Sequence, residues 1–405
     1  MTSARYTEAS RLLASTRDVI DERSEGASPP AWCVGRGWVP FLAALDDEAV
    51  HRMERDGLAA HLDGAPDDLA ALARAVVQVT TLPALPAVAA AVVERRRASP
   101  RKQAQVAAFA TLVERLGARA ARVVDLGSGH GHLTRHLARE LGVEAEGWER
   151  DPARVAVASA LAGSEGARFE AVDAYGAAAR LRPTDLVVGL HACGALGDHA
   201  VTAAGEAGAS VAIIGCCLQR RVGDRPALAV AEGVDAEALT LGRAVLGMGN
   251  MRDGDEGVEA SLEVRTASRV HRLALRRVLA SAGLVVAPGE EMHGVNRRRA
   301  TGALDELVTR VFAVRGLSMP PREVIAEAER AARADHERAR RWELPRAMLS
   351  RLVEVWVALD RAASLERRGY ATEVLTAFDA SVSPRNVAVL GWAPGARGSD
   401  GSRSG

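Results

Sequence analysis

The chain has 405 residues, of which 48% are hydrophobic and 26% charged, a composition typical of soluble globular proteins with two or three domains. Its 52 basic residues balance 52 acidic ones, so no overall charge attracts the protein to nucleic acid or to an anionic membrane. The sequence has no apolar stretch of about 18 residues that could span a bilayer, and its polar N-terminus lacks the apolar core of a signal peptide.

The cysteines and the basic residues indicate a compartment and a source. Cys33, Cys193, Cys216 and Cys217 do not form a disulfide framework, which favours a reducing cytoplasm. Nearly all of the positive charge is arginine, since Lys102 is the only lysine, and this usage is typical of a GC-rich bacterial genome.

The predicted elements change character along the chain. Residues 1–100 are predicted to form a helical N-terminal domain, with helices over Ala4–Glu22 and Leu69–Gln78. Residues 101–290 alternate short apolar runs with helical stretches, which predicts an α/β fold with a mostly parallel sheet covered by helices on both faces. The predicted strands are Ala121–Leu126, Ala145–Trp148, Arg168–Val172, Leu186–Leu190, Val211–Gly215 and Gly283–Ala287. The predicted helices are Lys102–Leu116, His132–Leu141, Pro152–Ala162 and Val270–Ala282.

The C-terminal part is predicted to be mainly helical before one last strand. Residues 291–380 read as a helical insertion, with one helix from Pro321 to about Trp342 and a second from Pro345 to Arg368. Residues 381–397 are expected to contain the final strand of the sheet, at 386–392. The Gly/Ser-rich residues 398–405 predict a disordered tail.

A glycine-rich loop follows the first predicted strand, in the segment Asp125-Leu126-Gly127-Ser128-Gly129-His130-Gly131. Its glycines allow the backbone to turn sharply and to approach a ligand, and the next helix offers unpaired N–H groups. The spacing is G-x-G-x-G instead of the G-x-G-x-x-G of dinucleotide sites, and Asp125 would repel a pyrophosphate but would bind an ammonium group. A ligand with an amino-acid end and a nucleoside end, such as S-adenosylmethionine, fits both features; a tight turn without a ligand is the alternative.

Two further acids occupy the ends of the next two predicted strands. Glu149 ends the second strand, where a carboxylate can bind both ribose hydroxyls, and Asp173 ends the third, where it can accept from an adenine amino group. Each acid alone could be a surface residue or a helix N-cap. Three acids at consecutive strand ends fit the ligand crevice of an open α/β sheet, so we expect S-adenosylmethionine to bind Asp125, Ser128 and the loop glycines together with Glu149 and Asp173.

Histidine and cysteine side chains follow the fourth and fifth predicted strands, where a methyl acceptor would lie. His191 and Cys193 end the fourth strand, and Cys216 and Cys217 end the fifth. Four interpretations stay open: packing and backbone support, His191 as a general base, Cys193 as a nucleophile that activates a pyrimidine ring, and a zinc site made of all four. No Asn/Asp-Pro-Pro-aromatic tetrapeptide occurs, which argues against methylation of the amino nitrogens of adenine or glutamine.

Several segments together resemble one protein family. They are Trp38-Val39-Pro40-Phe41-Leu42, Ser99-Pro100-Arg101-Lys102, the loop at 124–133, residues 189–194, Cys216-Cys217, Leu359-Asp360-Arg361 and residues 378–386. Within the last segment, Ser383-Pro384-Arg385-Asn386 is the most specific, because it is not generic to methyltransferases. With these segments the chain resembles the family of methyltransferase-like protein 25, once described as rRNA adenine dimethylase domain-containing proteins.

The resemblance implies a Rossmann-like, class I methyltransferase core with a helical N-terminal domain and a helical insertion before the last strand. By analogy, the cofactor falls on Asp125, Gly127, Gly129, Gly131, Glu149 and Asp173. Two positions depart from the family pattern: His130 replaces the usual lysine, so a basic role there would depend on pH, and Leu218 replaces the aromatic residue that often follows the two cysteines. A tRNA ribose methyltransferase family shares this core type, which favours RNA as the acceptor by analogy only.

The sequence therefore predicts a cytoplasmic methyltransferase that acts on a macromolecule, with RNA favoured over protein. Arg220, Arg221 and Arg385 lie near the C-terminal strand ends, where they could meet phosphates, although ordinary surface pairing is the alternative. A scaffold that binds the cofactor without turnover would tolerate the loss of His191 or Cys193, whereas an enzyme would need them. A small-molecule methyltransferase and a protein with structural zinc are further alternatives.

Overall fold

A computed structural model describes residues 2–396 except 23, 25, 27, 86–98, 118–119, 164–165 and 249–257. Contacts between Cα atoms divide the chain into two compact units. Unit 1 comprises Met1–Arg17, Arg74–Gly254 and Leu349–Gly405, and unit 2 comprises Asp18–Ala73 and Asp255–Met348. Both units combine segments that are distant in sequence, so these divisions differ from the domains predicted at 1–100, 101–290, 291–380 and 381–397.

The described residues form helices and seven strands. The helices are α1 Thr2–Ser15, α2 Arg17–Asp21, α3 Ala31–Gly35, α4 Val39–Ala44, α5 Asp47–Asp56, α6 Asp67–Thr80, α7 Pro100–Gly117, α8 His132–Leu141, α9 Pro152–Ala162, α10 Ala174–Ala177, α11 Ala195–Ala207, α12 Arg243–Leu246, α13 Val258–Ser281, α14 Leu304–Arg315 and α15 Arg322–Glu366. The strands are β1 Arg122–Leu126, β2 Glu144–Glu149, β3 Ala167–Ala171, β4 Asp185–Leu190, β5 Ser210–Ile214, β6 Ala371–Thr376 and β7 Val387–Trp392.

All seven strands belong to one sheet in unit 1, with the order β3-β2-β1-β4-β5-β7-β6. The first five strands are parallel, and β7 runs antiparallel to both β5 and β6. The chain therefore crosses over after β3 and returns beside β1, which places a topological switch point between β1 and β4. In open α/β sheets, ligands bind outside the carboxyl ends of the strands at such a point. The predicted α/β fold with a mostly parallel sheet is confirmed.

The core of unit 1 lies between this sheet and the helices that cover it. Strands β4 and β5 are buried along their whole length, as expected for apolar runs with both faces covered. Phe109 and Val113 of α7 and Leu137 of α8 pack in the same cluster as the buried residues of β1, β4, β5 and β7. This packing fixes the ends of the parallel strands, where the site residues lie.

Unit 2 has a separate, helical core. Val270 and Leu275 of α13 pack with Val308 and Phe312 of α14 and with Ile325 near the start of α15. Helix α14 ends at Gly316, whose left-handed conformation (φ 65°) suits a C-terminal cap. The apolar residues at helical spacing thus form a core that does not include the sheet.

Two strand predictions differ from the structure. The strand predicted at Gly283–Ala287 is wrong: this segment is an irregular connection in unit 2 after α13, and Val285 is 86% exposed. Conversely, Ala371–Thr376 forms β6 inside the region predicted to be helical. Short segments of this kind become strands only when a partner strand supplies hydrogen bonds, and β7 pairs with β6 along its whole length.

Helix boundaries also differ in places. Residues 322–366 form one continuous helix, with Pro345 inside it, where the sequence predicted two helices. The helix predicted over Ala4–Glu22 is two helices, α1 and α2, separated at Thr16. Residues 398–405, predicted to be disordered, lie outside the described residues. Among the helices that the structure describes, none has both the length and the hydrophobicity needed to cross a bilayer.

Candidate functional site

The glycine loop connects β1 to α8 at the carboxyl edge of the sheet. The backbone N–H groups of Gly127 and Ser128 both donate to the carbonyl of Trp148, at 2.8 and 3.2 Å, which ties the loop to the end of β2. Gly131 has a φ of 71°, and a Cβ atom there would lie 2.3 Å from Cζ of Phe169 on β3. A side chain at this position would therefore be both strained and overlapping, which explains why the sequence has glycine here.

Asp125 lies at the end of β1, beneath this loop. Its side chain is buried and accepts a hydrogen bond from the hydroxyl of Thr134 on α8 at 2.7 Å. Burial raises the pKa of Asp125 to about 6, although the Thr134 hydrogen bond and the nearby Lys102 charge oppose the shift. Ser128 in the loop has a buried hydroxyl with no hydrogen-bond partner among the described residues. The loop thus brings together an acid and a polar oxygen that a cationic, polar ligand would satisfy.

The other two acids differ in their surroundings. Glu149 is buried at the end of β2, and its two carboxylate oxygens accept from the N–H groups of Gly129 and Asp151, each at 3.1 Å. Glu149 therefore lies directly against the glycine loop. Asp173 is exposed after β3, and its side chain caps α10 by accepting from the N–H of Tyr175 at 3.1 Å. The N-cap, an alternative left open by the sequence, is the contact that Asp173 makes.

His191 follows β4 in an unusual backbone conformation. Its φ of 70° makes it the one non-glycine residue with positive φ among the described residues. Its Nε2 atom lies 2.9 Å from Oε1 of Gln105 on α7. Burial, together with the positive charges of Lys102, Arg101 and Arg385, lowers the pKa of His191 to about 4. The imidazole is therefore neutral at pH 7.

Three cysteines converge beside His191. The Sγ atoms of Cys193 and Cys216 are 2.7 Å apart, and those of Cys216 and Cys217 are 3.7 Å apart. The hydrogen bond from Cys216 lowers the pKa of Cys193 to about 6, whereas the same contact raises the pKa of Cys216. Of the four residues in the predicted zinc set, the structure groups these three; the group does not include His191.

Lys102 interacts electrostatically with Asp125 at the end of β1 and with Cys216 in the thiol cluster. Burial lowers the pKa of its ammonium group, while Asp125 and Cys216, in their ionised forms, act in the opposite direction. The resemblance included Lys102 without giving it a role. The sequence feature that could have indicated a role for Lys102 is that it is the only lysine of the chain.

A buried network of carboxylates and arginines supports the turn after β4. Asp198 on α11 receives hydrogen bonds from Arg225 (3.0 Å), Arg361 (2.9 Å) and Arg221 (2.9 Å). Arg361 also donates to the carbonyl of Gly194 at 3.3 Å, and Asp360 binds Arg225 at 2.8 Å. Sequence reasoning missed this network, although Leu359-Asp360-Arg361 belonged to the resemblance. The Arg221 guanidinium was considered as a phosphate ligand, with ordinary pairing as the alternative. In the structure it pairs with the carboxylate of Asp198.

A small cavity of about 60 Å³ lies elsewhere, within unit 2. Its lining includes Arg269, Arg272, Arg276 and Arg340. Arg272 binds the carboxylate of Glu291 at 2.5 Å, and Arg340 binds that of Glu54 at 2.6 Å. None of the lining residues belongs to the glycine loop or to the thiol cluster, so the cavity is separate from the candidate site.

A comparison with protein families matches the part of the chain that contains the glycine loop and the thiol cluster. Residues 101–222 match a protein family described as "Methyltransferase domain". This part of the chain is therefore similar to a methyltransferase domain. The domain extends from the start of α7 through β5 to the segment after the three cysteines, and it contains Asp125, Glu149, Asp173 and His191. No curated protein matches the chain significantly.

Three solved structures illustrate what the chain is similar to. A protein described under the conversion of a disulfide bond into a thioacetal group during echinomycin biosynthesis is 28% identical over 26% of this chain and 48% of its own, with a TM-score of 0.23. An RNA methyltransferase from Salinibacter ruber in complex with S-adenosyl-L-homocysteine is 22% identical, covering 33% of this chain and 90% of its own, with a TM-score of 0.24. A TehB-like S-adenosylmethionine-dependent methyltransferase from Corynebacterium glutamicum is 20% identical, covering 29% and 73%, with a TM-score of 0.23.

Proposed function

We propose that the protein methylates RNA at the carboxyl ends of β4 and β5, as a bacterial, cytoplasmic member of the family of methyltransferase-like protein 25. The observation that carries this proposal is a local excess of positive charge around His191 and Cys193. Arg101, Lys102 and Arg385 act electrostatically on His191. Arg220 acts in the same way on Cys193.

This charge is local, because the chain as a whole has a net charge of zero. Arg101 and Arg220 are exposed, and Arg385 is partly exposed. Guanidinium groups bind phosphate oxygens through paired hydrogen bonds, and RNA presents such oxygens at every nucleotide. A polyanionic acceptor therefore suits this edge of the sheet better than a neutral small molecule does.

The glycine-loop residues fit the methyl donor through their chemistry. S-adenosylmethionine, when bound, supplies an electrophilic methyl group. We assign Asp125 to its ammonium group, because a buried carboxylate with a raised pKa is stabilised by a neighbouring cation. The Ser128 hydroxyl, which is buried without a partner among the described residues, and the Glu149 carboxylate beside Gly129 supply polar contacts for the rest of the ligand.

His191 is assigned a positioning role at the acceptor. With the amide oxygen of Gln105 as its partner, Nε2 carries the proton and donates, which leaves the Nδ1 lone pair available. A pKa of about 4 makes this imidazole a weak base at pH 7. Its neutral Nδ1 accepts a hydrogen bond from the acceptor and holds the nucleophile in line with the methyl group.

The test is transfer of a tritiated methyl group from S-adenosylmethionine into fractionated lysate, with RNA, protein and small molecules separated. We expect label in RNA, and none when an Asp125→Ala variant is used.

The binding of unlabelled RNA should also weaken steeply as the salt concentration rises. The Arg220→Ala variant should show a smaller salt dependence. Arg168→Ala, which changes a distant exposed arginine, should show the wild-type dependence. Label confined to protein or small molecules contradicts the RNA assignment, and no label in any fraction favours a cofactor-binding scaffold.

A further inference from the structure

We propose that Cys193, Cys216 and Cys217 together bind one zinc ion at the carboxyl ends of β4 and β5. The proposal rests on the arrangement of the three thiols and not on RNA as the acceptor. Nothing in the methyltransferase reaction itself requires a metal at this position, so the site is an addition to the proposed function.

The distances between the sulfur atoms are close to those of a thiolate metal site. All three Sγ atoms lie within 4.8 Å of one another. Zinc binds thiolates at about 2.3 Å with tetrahedral geometry, which places two sulfur ligands about 3.8 Å apart. The Cys216–Cys217 separation is 3.7 Å, and the Cys193–Cys216 separation of 2.7 Å would have to widen by about 1 Å. These sulfurs are therefore near a common centre without any rearrangement of the strands.

The backbone holds the three cysteines in place. The N–H groups of His191 and Ala192 both donate to the carbonyl of Ile214, at 2.9 and 3.1 Å, so the turn after β4 is tied to the end of β5. The left-handed conformation of His191 directs this turn, and strained residues of this kind cluster at functional sites. At Gly194, a Cβ atom would lie 1.9 Å from the carbonyl oxygen of Arg220, so the Cys193 turn packs directly on the segment after Cys217.

The charges around the thiols suit such a site. Three thiolates and one Zn²⁺ carry a net charge of −1, and the nearby cations Lys102 and Arg220 compensate it. Each thiol releases its proton to solvent when it binds the metal, so binding is favoured at higher pH. Soft sulfur ligands select zinc over magnesium or calcium, which prefer oxygen.

The fourth coordination position is open within the described part of the chain. The cluster contains no fourth ligand from the described histidine, cysteine, aspartate and glutamate residues, and Nε2 of His191 is hydrogen-bonded to Gln105. Zinc sites with three protein ligands keep the fourth for water or a substrate, whereas structural sites are closed by four. This site therefore belongs to the open class, beside the edge where the acceptor binds.

The experiment uses the full chain, purified under reducing conditions. We expect elemental analysis to find one zinc per chain, and cobalt to replace it with the sulfur-to-metal charge-transfer and visible bands of a tetrahedral thiolate site. Cys193→Ala and Cys217→Ala should each lose the metal and the bands. The matched control is Cys33→Ala, which removes the remaining cysteine, buried in unit 2, and should keep both.

Binding of S-adenosylmethionine by each variant is measured by calorimetry, and a variant that binds it is folded. The same measurement separates a failure of the metal site from a failure of the cofactor assignment. A wild-type protein that takes up neither zinc nor cobalt overturns the proposal. Cobalt spectra that are unchanged in both Cys193→Ala and Cys217→Ala also overturn it. So does mass spectrometry that finds Cys193 and Cys216 joined as a disulfide in the reduced preparation, because two oxidised sulfurs cannot serve as thiolate ligands.

Discussion

Single residues at the candidate site acquire their properties from burial more than from their neighbours in sequence. Asp125 and His191 illustrate this in opposite directions: burial raises the pKa of the acid to about 6 and lowers that of the imidazole to about 4. In both cases the neutral form is favoured, because a low-dielectric surrounding disfavours charge. A bound cation would therefore stabilise the Asp125 carboxylate, and the neutral His191 imidazole can act as a hydrogen-bonding group.

The pKa of Asp125 predicts how cofactor affinity depends on pH. Below about pH 6 the carboxyl group of the free protein is protonated, so binding an ammonium group requires loss of that proton. We expect the affinity for S-adenosylmethionine to fall up to about tenfold for each pH unit below this value, and to level off above it. Isothermal calorimetry across this range measures the dependence.

The matching variant is Asp125→Asn, which keeps the size of the side chain and removes its charge. At pH 7 its affinity should be at least about tenfold weaker, or about 1.4 kcal/mol, and nearly independent of pH. Glu170→Ala changes an exposed acid on β3 and should bind as wild type does. A variant Asp125→Asn with wild-type affinity and the same pH profile would contradict the assignment of the ammonium group.

At the scale of elements, the site is made by the turns that follow β1 and β4. Both turns depend on a glycine whose missing side chain lets another segment approach, Phe169 at Gly131 and the Arg220 carbonyl at Gly194. The parallel strands bring these turns to one edge, and a side-chain carbon of Leu196 would lie 3.1 Å from a Cβ atom at Gly127. The two turns are therefore neighbours.

Gly131→Ala tests the first turn. The new methyl group would overlap the Phe169 ring in a left-handed conformation, so we expect a loss of stability of about 2–5 kcal/mol and weaker cofactor binding. Gly142→Ala is a matched control at the other end of α8: its φ of 63° is similar, but no heavy atom lies within 4 Å of its Cβ position. It should lose only about 1–2 kcal/mol. Equal losses in chemical denaturation would show that overlap with Phe169 is unimportant.

At the scale of the whole molecule, residues far apart in sequence stabilise the site. Asp360 on α15 is fully buried and accepts from Arg225 at 2.8 Å and from the N–H of Ala229 at 2.9 Å. Its neighbour Arg361 reaches the carbonyl of Gly194 beside the thiol cluster. The Leu359-Asp360-Arg361 motif therefore supports the turn after β4, although it lies near the end of α15. Arg361 and Gly194 are 167 residues apart in the sequence.

Asp360→Ala should remove this support. The buried Arg225 guanidinium would lose one of its two carboxylate partners, which predicts a loss of unfolding free energy of about 3–5 kcal/mol. The exposed Glu232→Ala in the same unit should change stability by less than about 0.5 kcal/mol. Urea denaturation of both variants measures the difference, and a loss for Asp360→Ala no larger than that of Glu232→Ala would contradict the role of the network.

The sequence by itself determined the parallel part of the sheet and the glycine loop. Apolar residues dominate β1, β4 and β5, and the loop is a contiguous motif, so these features are encoded by residues close together in the chain. Only the tertiary structure decided that Ala371–Thr376 is a strand and that residues 322–366 form one helix through Pro345. It also decided that Gly283–Ala287 forms no strand. It also decided that Arg221 binds Asp198 and that three thiols meet without His191. Strand pairing, burial and ion pairing join residues distant in sequence, and a local pattern does not specify the partner.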